Sequence, residues 1–161
     1  MRNTVQVLIC AGLWACSGPG VFAQDAPEPS RERGRYIAMI GGCNDCHTEN
    51  YAMSGGDVPE SEWLKGSVLG WRGPWGATYP VNLRLRLQDM SEDEWLQFAR
   101  TFKTRPPMPW YDVNRMEEAD LRSLYRFITQ FDDKGAPAPA YVPPGQEPPP
   151  PYVSFPEPPP Q

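Results

Sequence analysis

Apolar residues recur at helical spacing in three stretches of the chain. In "SRERGRYIAMIGG", Tyr36, Ile37 and Ile40 fall on one helical face, Ser30 stands where an N-cap belongs, and Gly41-Gly42 ends the run. Cys43 therefore follows directly on a predicted helix. "SEDEWLQFART" opens with Ser91 and Glu94, the spacing of a capping box, and carries an inward stripe of Trp95, Phe98, Ala99 and Phe102. "EEADLRSLYRFITQF" places Leu121, Leu124, Tyr125 and Ile128 at i, i+3, i+4 and i+7, with Glu117 at the cap position. "PESEWLKG" reads as a short helix, and the Gly/Pro-rich stretch from Gly66 to Pro80 as a connection. No run alternates with period two. The pattern predicts an all-α domain with long connecting loops.

Both ends of the 161-residue chain stand apart from this pattern. Arg2 precedes an apolar run from Val5 to Ala15, followed by Val21 and Ala23 as small residues at an A-x-A-like cleavage site. Residues 1–23 are expected to be a secretory signal peptide. The run is shorter than the roughly 20 residues needed to span a bilayer, so no membrane span is expected. "LWAC" resembles a lipoprotein box ending at Cys16, but Trp14 is bulky for that pattern, which makes a lipid anchor at Cys16 the minor expectation. From Ala136 to Gln161, 12 of 26 residues are proline. Such a segment favours extended polyproline II over helix or central strand. The ordered domain is expected over residues 30–135, with 136–161 as a proline-rich extended tail.

The balance of 15 basic and 20 acidic residues gives a net charge of −5, and removing the leader with Arg2 makes it one charge more acidic. This argues against nucleic acid as a partner and suits an exported, periplasmic protein meeting a neutral or basic one. A domain of about a hundred residues has a thin apolar core, which a large buried cofactor would supplement.

"CNDCH" at residues 43–47 contains the chain's single histidine. Without the leader, which holds Cys10 and Cys16, Cys43 and Cys46 are the remaining cysteines. Structural zinc asks for about four nitrogen or sulfur ligands, and three are offered within five residues. A thioredoxin-like dithiol expects a βαβ context, and the helical pattern gives none. Covalent haem attachment uses every group in the motif: two thioethers to Cys43 and Cys46, and His47 as proximal iron ligand. With one histidine, a second axial ligand from this chain must be of another type. Met39 and Met53 flank the motif closely, while Met90 and Met116 adjoin helix starts, where methionine is more often a core filler. Met108 lies 61 residues beyond His47 in "RPPMPW", where Pro106, Pro107 and Pro109 stiffen the loop. It is the candidate distal ligand; the alternative is a proline-rich turn with a packed methionine. Met/His ligation raises the reduction potential and leaves no open iron position, which favours electron transfer over catalysis.

Helix, "CNDCH", long loops, "MPW" and a final helix, over residues 34–132, resemble a class I c-type cytochrome domain. More narrowly, "GPWGATYPVNL", "MSEDEWLQFAR", "MPW" and "DLRSLYRFI" are similar to cytochrome c domains associated with bacterial alcohol and aldehyde dehydrogenases. The resemblance implies a cytochrome c-like fold of several short helices around one covalent haem c, held by Cys43, Cys46, His47 and Met108. It also implies a periplasmic role passing electrons from a dehydrogenase toward the respiratory chain. Those relatives usually follow Asn-Leu with Thr-Pro-Asp and often contain several haem domains; here Asn82-Leu83 is followed by Arg84-Leu85, and one motif is present. In class I cytochromes a proline carbonyl accepts the proximal imidazole proton near the spacing of Pro59, which can equally be a plain loop proline. Arg72, Trp75 and Tyr79 offer donors to haem propionates, or else form a turn with stacked aromatics. Trp63, Trp71, Trp75, Trp95 and Trp110 are candidates to wall a haem pocket or fill the core. Tyr141, Tyr152 and Phe155 suggest that the tail wraps the domain or docks a partner rather than acting as a bare linker.

The expectation is an exported monohaem cytochrome, an electron-transfer protein and not an enzyme, with a redox protein as partner. The rivals are a haem-binding structural subunit of a dehydrogenase complex, and a haem sensor or enzyme in which Met108 is replaceable.

Overall fold

Helix α1 (Arg31–Ile40) begins where Ser30 accepts a hydrogen bond from the Arg33 backbone N–H, at 3.1 Å. The computed structural model describes residues 27–156; the expected leader over 1–23, Cys16 and the end of the tail lie outside them. Helix α2 (Cys43–His47) follows after two glycines, and a 3₁₀ turn covers Glu60–Glu62. Strands β1 (Gly70–Gly73) and β2 (Gly76–Thr78) precede α3 (Leu83–Leu87), α4 (Glu92–Thr101), α5 (Trp110–Val113) and α6 (Glu118–Thr129). Strand β3 (Tyr152–Ser154) lies in the tail. Among the described residues no helix is long and apolar enough to cross a membrane.

The core forms where α1 crosses α6. Gly34, Ile37 and Ala38 are buried against Leu121, Ser123, Leu124, Phe127 and Ile128. Helices can approach this closely only with small residues at the crossing. The buried face of α1 is thus Gly34, Ile37 and Ala38, not the expected Tyr36, Ile37 and Ile40; Tyr36 is 49% and Ile40 64% exposed. Polar contacts fasten the same crossing. Arg33 pairs in bidentate fashion with Asp120, at 2.8 and 3.1 Å, and the Ser30 N–H donates to Ser123 Oγ at 3.1 Å. Helix α4 packs Trp95 and Ala99 on this core, and Trp63, Leu64 and Leu87 complete it. Each large apolar side chain buried here contributes roughly 1.5–3 kcal/mol of transfer free energy. The capping box of α4 is formed in both directions between Ser91 and Glu94, whereas Glu117 caps α6 without a side-chain bond.

A small sheet occupies the stretch expected to be a connection. Its order is β2-β1-β3, with β1 and β2 antiparallel (Trp71 opposite Thr78) and β1 and β3 parallel (Trp71 opposite Val153). The hairpin turns at Gly76, whose φ of +92° a side chain rarely adopts. Strands of three and four residues are too short for period-two alternation to register. The tail lies along this sheet. Ala77 and Val142 exchange backbone hydrogen bonds of 2.8 and 3.0 Å, Gly70 donates to the Pro151 carbonyl at 2.9 Å, and Phe155 donates to that of Arg72 at 2.8 Å.

Candidate functional site

Helix α1 runs almost directly into the "CNDCH" helix. Gly42 makes the turn in a left-handed conformation, φ +68°. Cys43 and Cys46, three residues apart, lie on one side of α2. Both are free and half-buried, and Cys43 packs against the core. Burial pushes the Cys43 thiol up to about 11, with the charges of Asp45 and Cys46 adding to the shift. Cys46 moves the same way, from burial first and Asp45 second. Both groups are therefore thiols near neutral pH. A redox dithiol or a zinc site works through thiolates, and among the described residues no group of three or more His, Cys, Asp or Glu side chains is placed to hold a metal ion.

His47 is buried, and its Nδ1 lies 2.8 Å from the Val81 carbonyl oxygen. A carbonyl only accepts, so Nδ1 carries the proton, and burial lowers the imidazole pKa to keep the ring neutral. The Nε2 lone pair is left bare: among the described residues no hydrogen bond reaches it. This is the tautomer of an imidazole whose second nitrogen ligates a metal. The carbonyl is held firmly by its surroundings. Ser67 donates to the Pro80 carbonyl at 3.2 Å, Leu83 to that of Leu64 at 2.9 Å, and Gly66 to that of His47 at 2.8 Å. A Cβ on Gly66 (φ +85°) would stand 2.8 Å from the Pro80 oxygen, so glycine permits this approach. The expected acceptor, Pro59, is occupied differently: its carbonyl takes the Glu62 N–H at 2.8 Å and starts the 3₁₀ turn. Val81 has the role instead. No side-chain pattern in the sequence marks it, because the acceptor is a main-chain carbonyl.

Met108 is half-buried on the strap between α4 and α5. Thr78 of β2 donates to the Pro106 carbonyl at 2.8 Å, and the Arg105 guanidinium lies 3.8 Å above the Tyr141 ring. These contacts fix the strap to the hairpin and to the tail. Three of the other described methionines are differently engaged: Met53 is 86% exposed, Met39 takes a hydrogen bond from Arg35 on its sulfur, and Met116 packs against the core beside Gly41. Met90 is half-buried between α3 and α4, where its carbonyl takes the Tyr125 hydroxyl.

Two of the five tryptophans expected to wall a pocket or fill the core are fully bonded core residues. Trp63 donates to the Val58 carbonyl and Trp95 to that of Leu121. On the hairpin, by contrast, the indole N–H groups of Trp71 and Trp75 and the Tyr79 hydroxyl are buried without a partner. Arg72 does not join them. It pairs with Glu147 at 2.8 Å and with the Tyr152 hydroxyl, toward the tail. Trp71, singled out in the sequence only among the wall residues, is thus an unpartnered buried donor where Arg72 is already paired.

Over 140 residues the chain is 26% identical to the cytochrome c subunit of an alcohol dehydrogenase (quinone) from Gluconobacter oxydans. The match covers 80% of this chain and 27% of that subunit, so the chain spans about a quarter of its relative's length. It supports a relationship to cytochrome c. No family model and no solved structure matches the chain.

A cytochrome c relative implies haem c, and the residues fit that group. Buried donors without partners cost roughly 1–3 kcal/mol each; the indoles of Trp71 and Trp75, which share the Phe155 ring, and the Tyr79 hydroxyl, on the side of Gly70, are three such donors in and beside the hairpin, of the kind that cofactor carboxylates would pair. Two protonated thiols stand on the helix that also carries an imidazole with one nitrogen held and one bare. Cys43, Cys46 and His47 would hold the haem, with Trp71, Trp75 and Tyr79 as the candidate donors to its carboxylates.

Proposed function

We propose that this chain is an exported c-type cytochrome of the class I fold, carrying one haem and passing single electrons from a dehydrogenase toward a respiratory chain. The observation that carries this reading is the 2.8 Å contact of His47 Nδ1 with Val81, because it leaves Nε2 free on the helix that holds both cysteines. Haem, when bound, supplies one-electron exchange between ferric and ferrous iron. The rest is the work of the chain. Val81 orients the imidazole and makes it a stronger donor. Cys43 and Cys46 would hold the porphyrin edge by thioethers. Met108, on a strap fastened by Thr78 and Tyr141, would be the sulfur ligand that fills the remaining iron position. A haem so held would suit electron transfer rather than catalysis, which agrees with the cytochrome c relative. The dehydrogenase partner rests on the subunit named above and on the sequence resemblance; the periplasmic location rests on the leader-like residues 1–23.

The test is the intact mass and the visible and near-infrared spectrum of protein exported from cells competent for cytochrome maturation. One haem of added mass and the weak near-infrared band of sulfur-ligated ferric haem are expected. Met108→Ala removes the band and lowers the potential. A colourless protein with the mass of its amino acids alone overturns the reading. A pigmented protein that keeps its band in Met108→Ala moves the axial ligand elsewhere.

A further inference from the structure

Residues 141–155 contact the candidate cofactor site at three points. Phe155 sets its ring against both hairpin indoles, with centroids 6.0 Å from Trp71 and 5.3 Å from Trp75. The Tyr141 hydroxyl donates to the Trp75 carbonyl at 2.8 Å. The face of the same tyrosine lies under Arg105 on the strap that carries Met108. Glu147 and Tyr152 meanwhile draw the Arg72 guanidinium outward. A linker needs none of these contacts. Each one holds a group whose position matters to the site: the indoles whose N–H groups are buried and unpartnered, or the strap of the sulfur ligand.

We propose that the proline-rich tail is a wall of the cofactor site, holding the Trp71 and Trp75 donors in place and keeping water from that edge. The proposal rests on the haem reading above. Its physical basis is the charge difference between oxidation states. Ferric haem carries one positive charge more than ferrous, so exclusion of water disfavours the ferric form and raises the potential. Polyproline stiffness suits the role, because an extended proline segment loses little conformational freedom when it is laid down.

The experiment uses the full-length holoprotein with Phe155→Ala, Tyr141→Phe and Gln146→Ala. Gln146 is exposed in the same tail and serves as the control. Two quantities are read: the midpoint potential, and hydrogen exchange at the Gly70 and Ala77 amides, which donate to the tail carbonyls of Pro151 and Val142. Phe155→Ala is expected to lower the potential and speed exchange at Gly70. Tyr141→Phe, which removes a single oxygen atom and keeps the fold, lowers the potential by less. Gln146→Ala changes neither. Faster exchange with an unchanged potential in Phe155→Ala overturns the proposal and makes the tail a fastening only. An unchanged potential and unchanged exchange in both tail variants overturn it as well. Absence of haem from the wild-type protein overturns the underlying reading, so the two failures are told apart by the wild-type mass.

Discussion

Gly34 of α1 and Ser123 of α6 stand closer than any side chain would allow: a Cβ built on Gly34 would lie 2.0 Å from the Ser123 carbonyl oxygen. Backbone is on the other side of that contact, so no rotamer relieves it. In an exposed helix Gly→Ala would stabilise by about 1 kcal/mol. Here the clash dominates, and Gly34→Ala is expected to destabilise by about 3 kcal/mol or more, read as a lower midpoint in chemical unfolding. A neutral or stabilising result would mean that the crossing is wider than described.

Arg84 stands where the sequence departs from the dehydrogenase-associated cytochromes, and it is 1% exposed. Its guanidinium donates to the carbonyls of Glu60, Ser61 and Asp133 and lies 3.7 Å over the Phe131 ring. A lysine cannot reproduce this fan of donors with a stacked plane. Arg84→Lys is expected to cost about 2 kcal/mol through carbonyls left unpaired. Calorimetry checks this, and a melting temperature equal to wild type refutes the clamp.

Glu92 receives Arg126 at 3.0 and 3.2 Å and Arg122 at 3.1 Å. Arg126 chiefly, helped by Arg122, holds its carboxyl below the ordinary value of 4.5, against an opposing effect of burial that is second only to Arg126. A carboxylate depressed in the folded state binds fewer protons there than in the unfolded chain. Its contribution is complete above about 4.5 and is lost as the pH falls through the lower folded value. Glu92→Gln should therefore lower stability at pH 7 and flatten its fall below about 4.5. Unfolding curves taken at several pH values decide it.

Met116 packs against the core and not on the strap. Met116→Leu, which conserves volume, is expected to leave the near-infrared band of the holoprotein unchanged. Met116→Ala should keep the band and lose about 2 kcal/mol of stability. Loss of the band in Met116→Leu would shift the sulfur ligand from Met108 to Met116.

Features set by neighbouring residues were legible in the sequence. The Ser30 cap, the Ser91–Glu94 box and most of the apolar face of α6 depend on residues within one or two helical turns; the structure places the caps as read and buries Leu121, Leu124 and Ile128, with Phe127 and Ser123 buried beside them and Tyr125 at the edge. The clustering of Cys43, Cys46 and His47 was legible for the same reason, although the short helix that carries them was not read from the sequence. What was missed is distant in sequence or carried by backbone. The acceptor for His47 is a main-chain carbonyl 34 residues on, which no side-chain motif advertises. The buried face of α1 depends on how closely α6 approaches, so the small residues Gly34 and Ala38 displaced Tyr36 and Ile40. Arg72 was expected at the site, but Glu147, far along the tail, took it.

The parallel pairing of Gly70 with Tyr152 joins points separated by most of the chain. The hairpin from Gly70 to Thr78 needs only neighbouring residues to close, while its third strand comes from Tyr152–Ser154, 82 residues beyond Gly70 at its Tyr152 partner. Long-range pairing of this kind comes late in folding, because the intervening loop must first be closed. The side of the molecule bearing Trp71 and Trp75 is consequently the last to be sealed. If haem is held as proposed, Trp71 and Trp75 would be covered by Phe155 only once this distant pairing is made.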